Sequence, residues 1–139
     1  MKKLISTVSL NQDLATLLLR LLFGLMFTYY GYNKIVNYDT IAPMFGDIIG
    51  IGARLSFNLV IFAEFFCGIL VAIGFVTRFA IIPPFITMIV AYFIAHAADP
   101  FDAKAIAFIF LILCLPIFVA GSGKYSVDYL IFNKKQAVQ

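Results

Sequence analysis

Residues 16–34 read TLLLRLLFGLMFTYYGYNK: a helix-length apolar run interrupted by Arg20 and closed by Tyr29, Tyr30, Tyr32 and Lys34. About 20 helical residues cross the roughly 30 Å of hydrocarbon in a bilayer, and helices satisfy their own backbone polar groups there. The stretch therefore reads as a membrane span over residues 14–33. Three further runs, at residues 55–76, 79–98 and 105–123, have the same character. Together they take up most of the chain and predict an all-α integral membrane four-helix bundle, one domain over residues 1–139.

Composition supports the same solvent. Hydrophobic residues make up 63% and charged residues 12%, with a mean hydropathy of +1.03. A soluble domain has about 25% charged residues, so this chain lacks the polar exterior that water requires. The lipid bilayer is the first partner. The first run lacks a short core followed by a small-residue cleavage pattern, so it reads as an anchor and not as a removable signal peptide.

The basic residues divide unevenly between the two ends of the spans. Lys2, Lys3, Arg78, Lys124, Lys134 and Lys135 fall at one end, and Lys34, Arg54 and Lys104 at the other. The positive-inside rule then places both termini in the cytoplasm. The net charge of +3 arises mainly at this inner edge. It reads as topology and headgroup contact, with no nucleic-acid partner.

Along the chain, Asn11 to Asp13 offer capping side chains for the first helix. Arg20, Gly24, Phe27, Gly31 and Lys34 follow helical spacing and share one face, whose glycines admit a second backbone. Residues 35–54 are expected to include a short interfacial segment in the first outer loop. GFVTR at 74–78 reads as a tight turn, and Pro83–Pro84 as a helix start or a kink. Met88, Tyr92, His96 and Asp99 fall on one face of the third span. Ala103, Ala107, Cys114 and Gly121 form a small-residue seam in the fourth, with Pro116 as a bend. A short amphipathic segment follows Gly123, and Cys67 and Cys114 read as packing residues.

Arg20 and Glu64 are the charges deepest in the spans. An unrelieved basic group at the centre of a bilayer costs at least about 2.5–3.5 kcal/mol. Counted from the cytoplasmic ends, the two differ in depth by roughly 8 Å at 1.5 Å per residue. The expectation is an Arg20–Glu64 ion pair between the first two spans, either a lock or the floor of a polar pocket. A second cluster lies at the outer end: Tyr29, Tyr30, Tyr32, Lys34, His96 and Asp99. An aromatic belt explains the tyrosines. The single histidine suits proton transfer near neutral pH.

Candidate catalytic residues are therefore His96 and Glu64, and candidate ligand-binding residues are Arg20, Lys34, Glu64, Tyr92 and His96. One histidine rules out a bis-histidine haem within one chain. No His/Cys cluster suits zinc or iron, and no glycine-rich nucleotide fingerprint or nucleophile motif is present. No metal site and no covalently bound cofactor is expected.

The ordered landmarks LLLRLLFGLMFTYYGYNKI, AEFFCGILVAIGFVTR, AYFIAH and GSGKYSVD resemble the DoxX family of small four-helix bacterial inner-membrane proteins. The resemblance implies a place in a quinone-linked or sulfur-linked redox system, as subunit or accessory of a membrane oxidoreductase. It also implies a hydrophobic ligand of the quinone class, with a partner oxidoreductase subunit or a homo-oligomer. Fold likeness does not fix activity. Two rival readings are an assembly or scaffold protein without catalytic activity and, with few spans for the task, a small-solute permease.

Overall fold

The computed structural model describes residues 11–136, so Lys2 and Lys3, counted above for topology, lie outside the described residues. Four helices are long and apolar enough to span a membrane: α1 (Gln12–Val36), α3 (Ala53–Ile73), α4 (Thr77–Ala95) and α5 (Phe101–Ala120). A short helix, α2 (Tyr38–Ile41), follows α1, and α6 (Val127–Gln136) closes the described chain. No strand occurs among the described residues.

The helix boundaries move from their expected places for local reasons. Asn11 caps α1 through its side chain, which accepts from Leu14 N–H at 3.0 Å. At its other end α1 runs on to Val36, three residues past the expected end, so Lys34 lies inside the helix whose face it was expected to share. Pro100 initiates α5 four residues earlier than expected, ahead of Asp102 and Lys104, and Gly121 at φ 70° stops it. The double proline is a start signal: a first turn, Thr77–Ala80, halts at Ile81, and the helix resumes with both prolines in its opening turn, where their missing amides cost nothing. The first outer loop forms α2 and one tight turn, Ala42–Met44, and is irregular from 45 to 52.

Glycines set the register of α1 against α3. A Cβ on Gly24 would lie 2.6 Å from the Gly68 carbonyl oxygen and 2.7 Å from Ala72 Cβ. One on Gly68 would meet Thr28 Oγ1 at 2.8 Å, and one on Gly31 would meet Phe65 Cα at 2.8 Å. The backbones touch, as small residues allow in a membrane where dispersion replaces the hydrophobic effect between helices. Antiparallel, they pair Gly24 with Ala72, Thr28 with Gly68 and Gly31 with Phe65. The other side of α1 packs on α5 through aromatic rings: Phe23 and Phe27 stack at 4.9 Å, and both meet the edge of Phe110, at 5.5 and 5.1 Å. Leu18, Leu22, Leu25 and Phe79 face outward, as lipid contact requires.

At the end where α1 begins, it projects about three turns past the end of α3. The segment 121–128 fills that step. Gly123 packs against Thr16, Arg20 donates to the Tyr125 carbonyl, and Asp128 N–H donates to the Gly74 carbonyl at 3.1 Å. Asp128 Oδ1 accepts from Val76 N–H at 2.9 Å, and its other oxygen accepts from Ser122. Val76 needs that restraint, because it sits at φ 43°, a left-handed conformation that β-branched side chains avoid at a cost of about 1–3 kcal/mol. Arg78 points its guanidinium at the Phe118 and Val119 carbonyls that end α5.

Gly31→Ala should cost about 1–3 kcal/mol by forcing the two backbones apart, whereas Leu25→Ala on the outer face should stay within about 0.5 kcal/mol. Reversible unfolding in mixed micelles checks both. Equal effects would show that the close crossing does not set the register.

Candidate functional site

The glycine register decides which charges meet. With Gly31 opposite Phe65, Glu64 lies level with the last two turns of α1, and Lys34 Nζ contacts Glu64 Oε2 at 2.6 Å. The side chains keep only 24% and 7% of their surface, so the pair sits largely out of solvent. The expected Arg20–Glu64 pair does not form. By the same register Arg20 falls level with residues 74–76 and stands about 18 Å from Glu64 along the helix axis at 1.5 Å per residue. Residue counting failed because it assumed that α1 begins and α3 ends at one depth, whereas α3 stops about three turns short.

Arg20 has another task. It is fully buried, its guanidinium lies against Gly74 and Ser126, and among the described residues Nε and one terminal nitrogen have no partner. It holds the 121–128 segment and takes no part in the site around Glu64.

Two clefts meet at the Lys34–Glu64 pair. The larger, of about 460 Å³, lies between α3, α4 and the irregular loop, with Phe45, Ile49, Leu59 and Val60 among its walls. The smaller, of about 170 Å³, opens between α1, α4 and α5 beside Tyr30, Phe110 and Lys104. Lys34, Glu64, Met88, Ala91 and His96 line both. His96 Nδ1 lies 2.6 Å from Asp99 Oδ2, which leaves Nε2 unengaged among the described residues. Ser56 adds a buried hydroxyl on the wall of the larger cleft, without a hydrogen-bond partner among the described residues.

Helix irregularities position these groups. Phe62–Phe66, which contains Glu64, is a π-helical turn closed by Cys67 N–H on the Phe62 carbonyl. A second π-helical turn, Ala91–Ala95, ends α4, and His96 N–H closes it on the Ala91 carbonyl at 3.0 Å. Such turns insert a residue into the helical repeat, re-aim the neighbouring side chains and gather at functional sites. The second one removes Tyr92 from the face expected to carry Met88 and His96. Tyr92 instead packs on Phe108 at 5.5 Å beneath Lys104, whose ammonium lies 5.0 Å from the ring centre, and it lines neither cleft.

Of the sequence candidates, the structure thus brings Lys34, Glu64 and His96 together and leaves Arg20 and Tyr92 outside. Ser56, Met88, Ala91 and Phe45 join them as walls. Tyr29 and Tyr32 are exposed near the end of α1, and Tyr30 packs on Phe110. Both cysteines are free and buried. No group of three potential metal ligands occurs among the described residues.

The DoxX family model matches residues 15–97. The chain belongs to the DoxX family. That match runs from α1 to just past the end of α4, so it holds Lys34, Glu64 and His96, while Asp99, α5 and the 121–128 segment stand outside it. Comparison with curated proteins and with solved structures gave no significant match. DoxX membership and four apolar spanning helices make this a multi-pass membrane protein.

Removing one partner of a buried pair strands the other charge. Lys34→Met should therefore cost about 3–5 kcal/mol, and adding Glu64→Leu should restore most of the loss. A double-mutant cycle between Arg20→Met and Glu64→Gln should give a coupling below about 0.5 kcal/mol, as for distant sites. A coupling of several kcal/mol would reinstate the pairing expected from sequence.

Proposed function

We propose that this DoxX-family chain binds a lipid-soluble ring compound of the quinone class in the larger cleft and serves a membrane redox system as subunit or accessory. The supporting observation is one cleft of about 460 Å³, apolar on most walls and polar at one end, where Lys34, Glu64 and His96 converge. Small-molecule sites have this construction, apolar walls of roughly 300–1,000 Å³ with a few placed polar groups. In this reading the ring lies among Phe45, Leu59 and Val60. Its oxygen meets the charged pair, and His96, oriented by Asp99, exchanges a proton through Nε2. The chain resides in a bacterial inner membrane with both termini cytoplasmic. The basic residues Arg78 and Lys124 at the terminal end support that orientation.

One observation favours a second reading as an assembly protein: the Lys34–Glu64 pair joins α1 to α3 immediately beside the Gly31–Phe65 contact, so the same charges also fix the helix arrangement. The two readings part on the content of the cleft. Protein extracted into nanodiscs with its native lipid should carry a prenylated ring compound, detected by mass spectrometry at close to one per chain. Ala91→Phe, which fills the cleft, should fold and lose it. Recovery no greater than from an unrelated membrane protein in the same extract would leave the assembly reading standing.

A further inference from the structure

We infer that the polar end of the larger cleft selects a neutral hydroxyl, an oxygen that both gives and takes a hydrogen bond, over a carbonyl or ether oxygen. The inference rests on the reading that this cleft holds a ring-bearing lipid-soluble molecule, and it states which oxidation state of such a ring the site prefers.

The hydrogen-bond inventory of the ion pair carries it. A lysine ammonium has three N–H donors and an ionised carboxylate has two acceptor oxygens. Lys34 spends one donor on Glu64 Oε2. Among the described residues its other donors meet no acceptor, and Glu64 Oε1 takes no hydrogen bond. Both side chains line the cleft, so the pair presents donors from one member beside an open acceptor from the other. One hydroxyl oxygen satisfies both, accepting from Lys34 and donating to Glu64, and each bond has an ionised partner and the added strength that brings. A quinone carbonyl or an ether oxygen can only accept. It would engage Lys34 and turn its lone pairs toward a carboxylate that stays unfilled.

Charge balance excludes the other candidates. Lys34 and Glu64 are the charged side chains on the wall of the larger cleft, with His96 paired to Asp99 at its rim. Each member of the buried pair neutralises the other, so a carboxylate or ammonium ligand would arrive without a free counter-charge and would have to break the pair to gain one. The occupant that fits is uncharged. Of a quinone and its quinol, the reduced, hydroxyl-bearing member is the better match.

The chain contains no tryptophan, so Phe45→Trp places a single tryptophan, excited apart from the tyrosines, on the cleft wall. In nanodiscs of one lipid composition, 4-octylphenol is compared with 4-octylanisole, in which a methyl group replaces the hydroxyl hydrogen. The phenol should bind at least tenfold more tightly, a modest fraction of what buried hydroxyl-reading sites achieve. In the Lys34→Met/Glu64→Leu background the ratio should fall to within about twofold. Saturable binding of both probes with equal affinity would overturn the hydroxyl preference and leave the cleft assignment intact. A preference that persisted in the double variant would also overturn it, because bulk would then be the cause. No saturable signal from either probe would remove the cleft assignment itself, and this inference with it.

Discussion

The backbone contact between α1 and α3 governs the rest of this protein. Three glycines, Gly24, Gly31 and Gly68, let the helices touch where any side chain would collide with backbone. In a bilayer such contact is a main source of helix association, since lipid tails are as apolar as leucine. Once the crossing is fixed, so is the depth of every polar group on the two helices. Glu64 comes level with the end of α1, where Lys34 can reach it, and Arg20 comes level with the turn after α3, where the chain's own carbonyl receives it. The two deep charges are thereby assigned to opposite ends of the bundle. One end is closed by protein, and the other is left open as two clefts.

That division of labour explains where irregular backbone occurs. At the closed end, a left-handed valine and glycines of positive φ are held by Asp128, Ser122 and Arg20. At the open end, besides the irregular loop 45–52, the spans themselves depart from α geometry in two π-helical turns, one containing Glu64 and one just before His96. A helix that widens by one residue loses some regularity in its ladder, and the loss is tolerated where neighbouring groups require a particular aim. The larger cleft lies between these two turns.

Much of this was legible in the chain. Four apolar runs gave four helices, the helical spacing of Arg20, Gly24, Phe27, Gly31 and Lys34 gave the buried face of α1, and Asn11 gave its cap. Lys34, Glu64 and His96 could be chosen as site candidates because charged and titratable groups are rare in so apolar a sequence. Their partners could not be read the same way. Pairing depends on how far one helix slides along another, which glycines permit but do not number, and on the step left where α3 ends early. The π-helical turns left no mark either: FAEFF and AYFIA contain neither glycine nor proline, and each follows an ordinary helical pattern. Tyr92 was misplaced for that reason.

The docking of residues 121–128 beneath α3 has a consequence for biogenesis. Arg20 enters the translocation machinery with the first helix, yet the carbonyl that receives its guanidinium belongs to a residue 105 positions downstream. Through the insertion of three further helices that cation has no permanent mate, and α1 must wait in a provisional position or lean on water and headgroups. Final seating of the first helix is thus tied to emergence of the tail from the ribosome, and a chain interrupted before Tyr125 would leave that guanidinium without its carbonyl.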